Sequence, residues 1–214
     1  MRNLGLVYAL VFTHAWGGEQ QYEPLADSVR AALHQNVADS AAPKETFASE
    51  EEAERWLTDM SRRLKRYLPD GEARRDLLIS VHYEAKRAGL DPELVLSLIQ
   101  IESKFRKYAL SRAGARGYMQ VMPFWMDLIG EPDHNLFNLR TNLRYGCVIL
   151  RHYLDRERGN TTRALARYNG SVRKSRYPKL VLAAWNTRWK QAAGGTSKAV
   201  KVRNQALNYM GDSH

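Results

Sequence analysis

Cysteine is almost absent from this chain of 214 residues. A single thiol, Cys147, excludes any intramolecular disulfide. Its neighbours, YGCVILRHYL, read as a packed helix, so the thiol reads as buried and inert and not as a nucleophile. Strand-type alternation is missing as well, and no internal repeat is present. No run after the N-terminus is apolar for long enough to cross a membrane as a helix, so no transmembrane anchor is expected. The six His are scattered without metal-ligand spacing, so neither a metal nor a cofactor is assigned. What these absences leave is an all-α domain of many short to medium helices.

Negative charge is missing from one place in particular. No Asp or Glu lies between Glu102 and Asp127, while Lys104, Arg106, Lys107, Arg112 and Arg116 crowd the same stretch. The formal charge of +10 is unevenly spread. Up to Asp76 there are 10 Lys/Arg against 13 Asp/Glu, and from Leu77 onward 23 against 10. A basic domain of this kind suits nucleic acid, anionic lipid or an anionic polymer such as cell-wall glycan. Charge alone does not choose among them, and many of the Arg side chains simply solvate helix faces.

The N-terminus, MRNLGLVYALVFTHAWGGEQQ, has a positive start at Arg2, an apolar run from Leu4 to Phe12, and small residues at Ala15 and Gly17. This is a secretory-signal pattern over residues 1–17, preferred here over a buried N-terminal helix. No cysteine ends it, so it carries no lipoprotein-type acylation site. An exported protein follows from that reading.

Residues 18–70 read as a helical extension with a linker. A short helix is expected around Ala26–Val37. A capping box, Ser49 with Glu52, opens the next helix, which runs to about Leu68 with Trp56, Met60, Leu64 and Tyr67 on one face. Pro69-Asp70-Gly71 breaks it. Residues 71–192 read as the main domain. A helix from Glu72 to Ala88 ends at Gly89, and Asp91-Pro92 caps the next. Tyr118–Ile129 reads as a helix interrupted near Pro123, and Asn138–Tyr153 as a long one. Thr161 or Thr162 is expected to cap a helix reaching Tyr168, and Pro178–Trp189 to form the last. Residues 193–214 form a basic tail.

Leu94, Leu98 and Glu102 are spaced by four, so Glu102 continues an apolar stripe. A carboxyl among apolar neighbours has its pKa raised, which suits a general acid. Periodicity alone also admits a helix-end Glu reaching water past Phe105. The loop that follows shifts the balance. Gly114 and Gly117 permit tight turns, Ser111, Tyr118 and Gln120 supply neutral hydrogen-bond groups, and Met119 and Met122 supply adaptable apolar contact. Such a mixture suits a sugar.

The ordered elements Glu102-Ser103, Phe105, Ser111, Gly114-Ala115, Gly117, Met119-Gln120-Val121-Met122-Pro123 and, farther on, Ala166-Arg167-Tyr168-Asn169 resemble the lytic transglycosylase domain of the soluble, lysozyme-like type. The likeness covers roughly Leu77 to Trp189. It implies a lysozyme-like multi-helix fold with the N-terminal segment as an extension. It implies Glu102 as the single catalytic acid/base, acting on the bond between N-acetylmuramic acid and N-acetylglucosamine and leaving a 1,6-anhydromuramoyl end. By the same resemblance Ser111 and Gln120 bind substrate amide or hydroxyl groups and Met119 and Met122 line the cleft. Tyr168 would hydrogen-bond near Glu102 and orient it, with Asn169 supporting that segment. The implied partner is peptidoglycan glycan strands, met in the bacterial periplasm.

The chain departs from the family pattern at Tyr118, Phe124-Trp125, Arg167 and Gly170-Ser171, which touches glycan preference and leaves the acid in place. A hydrolase of the goose-lysozyme type and a non-catalytic wall-binding component of an envelope machine are the rival readings. Nucleic acid is not expected, because no zinc spacing or stacking motif accompanies the basic residues. Residues 18–76 can dock an envelope partner, cover the cleft or extend the helical body.

Overall fold

The computed structural model describes residues 20–38, 46–172 and 174–191. The signal-like segment and the basic tail lie outside the described residues, as does most of the linker after the first helix. Among the described residues there are eight α-helices, a π-helical turn and no strand. The all-α architecture read from the sequence is the one found.

Helix α1 (Asp27–Ala38) and α2 (Glu50–Leu64) come from the N-terminal extension. Ser49 caps α2: its Oγ accepts from Glu52 N at 3.1 Å, and Glu52 reaches back to accept from Ala48 N at 2.9 Å. The helix stops at Leu64, short of the expected Leu68, in a turn that leads into Pro69. Helix α3 (Gly71–Arg87) is capped by Asp70 and ends where Gly89 turns to a positive φ of 65°. Helix α4 (Pro92–Glu102) starts at Asp91, whose carboxylate accepts from Glu93 N and Leu94 N, with Pro92 at the first helical position.

Three expectations need correction. The helix expected over Tyr118–Ile129 begins only after Pro123, as α5 (Phe124–Ile129). Residues 118–123 instead close a compact loop through the bridges Leu110–Arg116 and Arg116–Val121, which take the backbone groups a helix would have used. Helix α6 (Leu139–Arg156) is capped by Asn138. Helix α7 (Thr161–Tyr168) is capped by Asn160, whose side chain accepts from Arg163 N at 3.0 Å, and not by either Thr. Its short side chain reaches the free N–H of the third helical residue, so Thr161 is already helical. The last expected helix starts earlier and changes pitch, with α8 (Arg176–Ala184) passing into a π-helix at Trp185–Trp189.

Helix α4 is apolar nearly all round, with Leu94, Val95, Leu96, Leu98 and Ile99 buried, so it lies at the centre. It packs on α3, on α8 and on the π-helix, while α6 packs on α3 and α7. The extension joins the same core: Leu33, Val37, Trp56, Leu57, Met60 and Leu64 are all buried in it. Arg63 of α2 donates to the carbonyl of Arg188 at 2.5 Å, fastening the C-terminal turn. Trp56 donates to Glu93 at 2.7 Å, and Phe47 stacks on His82 at 3.7 Å. Burial lowers the His82 pKa to about 4, so it stays neutral under Phe47. The central helix is thereby clamped from both ends of the chain, and its C-terminus delivers Glu102.

Candidate active site

Glu102 is the last residue of α4 and only 3% exposed. Its apolar surroundings penalise the charged form and raise its pKa to about 8, against the smaller opposing effect of a hydrogen bond from Tyr177. That bond, from the Tyr177 hydroxyl to Glu102 Oε1, measures 2.5 Å. Among the described residues no second carboxylate contributes to the shift. The side chain is therefore a neutral carboxylic acid at neutral pH, held by one phenol.

The backbone turns sharply after the acid. Lys104 and Phe105 both have positive φ, 52° and 62°, a conformation that costs ordinary residues energy. Phe105 offsets that cost by burial, packing on Tyr67 at 5.1 Å and on Trp189 at 5.4 Å. Ser103 spends its hydroxyl on the carbonyl of Ile99 at 3.2 Å, which ends α4.

Asn142, fully buried on α6, holds the next loop. Its Oδ1 accepts from Met119 N at 2.8 Å, and its Nδ2 donates to the carbonyls of Arg116 and Leu136, each at 2.8 Å. Gly117 lies so close that an added Cβ would stand 2.5 Å from Asn142 Nδ2. Gln120 takes a positive φ of 50° and donates through Nε2 to the carbonyls of Ala109 and Gly117, leaving Oε1 buried without a partner. Ser111 Oγ accepts from Ala115 N at 3.0 Å and closes the turn at Gly114.

The structure brings several expected site residues into one neighbourhood but redistributes their roles. Tyr168, fully buried, donates to the carbonyl of Met119 at 2.8 Å, so it secures the loop and does not hydrogen-bond Glu102. The orienting contact belongs to Tyr177, which sequence reasoning did not single out. Met119 is fully buried, with its sulfur over Gly146 of α6, so it is part of the packing and not a cleft-lining side chain. A Cβ at position 146 would fall 2.3 Å from that sulfur, which explains how α6 comes so near. Met122 remains half-buried. Asn169 ends α7 with Nδ2 buried and unpartnered. Tyr118 and Trp125 are buried and Phe124 is half-buried, with Phe124 and Trp125 rings 5.4 Å apart.

A separate cavity of about 440 Å³ lies between α1, α3 and α6, away from Glu102. It is lined in part by Cys147, whose thiol is pushed up in pKa by burial, and by the ion pair of Glu84 with Arg144 at 3.1 Å. The thiol is thus held in its unreactive form.

One family model, the transglycosylase SLT domain, matches residues 80–180, a span that includes Glu102, the glycine loop and the end of α7. The chain carries an SLT domain. Curated relatives agree. A membrane-bound lytic murein transglycosylase C of Actinobacillus pleuropneumoniae is 38% identical over 85 residues, 36% of this chain and 23% of that protein. A transglycosylase of Enterobacteria phage PRD1 is 31% identical over 113 residues, 53% of this chain and 38% of that protein. The chain thus spans about a quarter to two fifths of the length of these relatives. The SLT domain opens inside α3 and closes inside α8, so α1, α2 and the π-helix pack on it from outside the matched span.

Proposed function

We propose that this chain is a peptidoglycan lytic transglycosylase, exported to the bacterial periplasm, that cleaves the β-1,4 bond between N-acetylmuramic acid and N-acetylglucosamine without consuming water. The observation that carries the reading is Glu102: buried, neutral up to about pH 8, held by Tyr177 and not coupled to a second carboxylate among the described residues. Most glycosidases need two carboxylates, one to protonate the leaving oxygen and one to act as base or nucleophile. A lone acid suits a reaction in which the substrate supplies its own nucleophile.

In the proposed sequence Glu102 gives its proton to the glycosidic oxygen, and the C1–O bond breaks. The substrate N-acetyl group stabilises the oxocarbenium-like centre. The ionised Glu102 then takes the proton of the muramoyl C6 hydroxyl, whose oxygen closes on C1. The acid is regenerated and a 1,6-anhydro end is left. Tyr177 keeps the carboxyl in one orientation through both transfers and eases the ionised stage by donating to it. The unpaired buried atoms Gln120 Oε1 and Asn169 Nδ2 offer one acceptor and one donor to a substrate dense in hydroxyl and amide groups. Ser111 and Met122 flank the same loop.

The test is digestion of purified sacculi followed by mass measurement of the released muropeptides. Anhydro products are expected from the native chain, and Glu102→Gln is expected to keep the fold and release none. Products heavier by one water would replace this reading with hydrolysis. Near-normal turnover by Glu102→Gln would remove Glu102 from the mechanism.

A further inference from the structure

Residues 20–26, just ahead of α1, hold no regular secondary structure, and three contacts fix them on the SLT domain. Gln20 Oε1 accepts from the backbone N–H of Met122 at 3.1 Å. The Tyr22 ring meets Phe124 edge-on at 5.8 Å. Glu23 pairs with Arg156 and, at 3.5 Å, with Arg167. In sequence, Met122 and Phe124 follow the glycine loop and Arg167 precedes Tyr168. Gln20 comes from outside the family span and is only 4% exposed.

The carboxamide of Gln20 is half satisfied. Its oxygen holds Met122, whereas its Nε2 is buried and has no hydrogen-bond partner. Burial raises the Tyr168 pKa well above the usual phenol value, and a lesser side-chain contact from Gln20 opposes it; that contact falls short of hydrogen-bond geometry at Nε2, which keeps no partner. Tyr168 in turn feels the charge of Glu102, so the amide, the phenol and the acid share one neighbourhood. An unpaired buried N–H₂ group carries an uncompensated desolvation cost, and native interiors leave few of them. A segment that merely plugged the site would leave that cost standing. A ligand carbonyl arriving at Nε2 removes it. Burial does not argue against contact with substrate, because Glu102 itself is equally enclosed.

We propose that Gln20 is a substrate-binding residue contributed by the N-terminal strap, its Nε2 donating to the acetamide carbonyl of a wall sugar while its Oε1 stays on Met122 N. The proposal rests on the glycan-cleaving reading of the site and deepens it. The strap adds a donor beside Met122 to the one at Asn169, and its aromatic and ionic anchors keep that donor in place. The chemical class recognised is the N-acetyl group, not the sugar ring or the stem peptide.

The experiment measures binding by the full chain carrying Glu102→Gln, which separates affinity from turnover. Two forms of one glycan serve as probes: N-acetylated strands, and the same strands after chemical de-N-acetylation. Adding Gln20→Ala is expected to weaken binding to acetylated strands about tenfold, the size of a lost buried hydrogen bond, and to change binding to de-N-acetylated strands less than about twofold. Gln20→Glu keeps the acceptor for Met122 and removes the donor, and is expected to show the same selective loss even if the smaller Ala loosens the strap. Equal losses on both glycans, or none, overturn the proposal. Tighter binding by Gln20→Ala also overturns it and makes the strap a blocking segment. Failure of the cleavage reading is distinguishable: the native chain then releases no anhydro product while Gln20-dependent binding persists. Loss of all glycan binding by the Glu102→Gln chain defeats both.

Discussion

Glu102 and Tyr177 lie 75 positions apart in the chain and meet at 2.5 Å. The phenol donates to the carboxyl oxygen and so favours the ionised form, while burial opposes it and prevails. Tyr177→Phe is therefore expected to raise the Glu102 pKa beyond about 8, moving the alkaline limb of the pH–rate profile upward and lowering kcat on the order of tenfold. Tyr168→Phe is expected to leave that limb in place. It deprives the buried Met119 carbonyl of its donor and costs about 1–3 kcal/mol of stability, read as a fall in Tm. The opposite pattern, a shifted limb for Tyr168→Phe alone, would return the orienting role to Tyr168. Stability has its own pH signature. Between the ordinary Glu value of 4.5 and about 8, folded Glu102 keeps a proton that the unfolded chain releases. Stability from this group therefore falls as pH rises through that window, by at most about 1.4 kcal/mol per pH unit. Denaturant titrations of Glu102→Gln across the same range should lack that slope.

At the scale of elements, the loop between α4 and α5 depends on two glycines for different reasons. Gly117 has φ +75° and faces Asn142 and the Leu136 carbonyl at 2.5–2.6 Å from a hypothetical Cβ. Gly114 has φ +92° and open space around it. Gly117→Ala is expected to lose about 2–4 kcal/mol, from strain plus a displaced Asn142, and Gly114→Ala only about 1 kcal/mol, from strain. Chemical denaturation of the two variants checks the order, and equal losses would contradict the Asn142 clamp. The legibility of these elements follows the same division between local and distant causes. Ser49, Asp91-Pro92 and Gly89 announce helix ends because caps are local chemistry. Glu102 is legible as a carboxyl on a buried apolar face because its stripe is contiguous in the sequence. Tyr177, Asn142 and Gln20 are not, since each matters only through a partner 75, 23 or 102 positions away. No periodicity carries such a pairing. Met119 was misplaced for a related reason: only the approach of Gly146 decides that its side chain turns inward.

On the scale of the whole molecule, the SLT domain does not stand by itself. Trp56, Leu57, Met60 and Leu64 of α2 are buried in the same core as α3, and Arg63 ties α2 to the end of the π-helix. That turn places Trp189 against Phe105, three residues after the acid, and Trp189 donates to Gln100 of α4 at 2.9 Å. The extension thus supports Glu102 through two routes, one along α3 and one through the C-terminus. Fully burying a large apolar side chain is worth about 1.5–3 kcal/mol, and a domain's net stability is only about 5–15 kcal/mol. Four such side chains on one helix approach the whole of it. A chain beginning at Gly71, with α1 and α2 removed, is therefore expected to lose cooperative unfolding, bind the dye ANS and show weakened near-UV circular dichroism, although it retains the entire family-matched span. Glycan cleavage by that chain should fall with the fold, and adding α2 back as a separate peptide should restore part of both signals. An unchanged melting temperature for the shortened chain would make the extension an independent appendage. The route from α2 through Trp189 to Phe105 would then play no part in holding the acid.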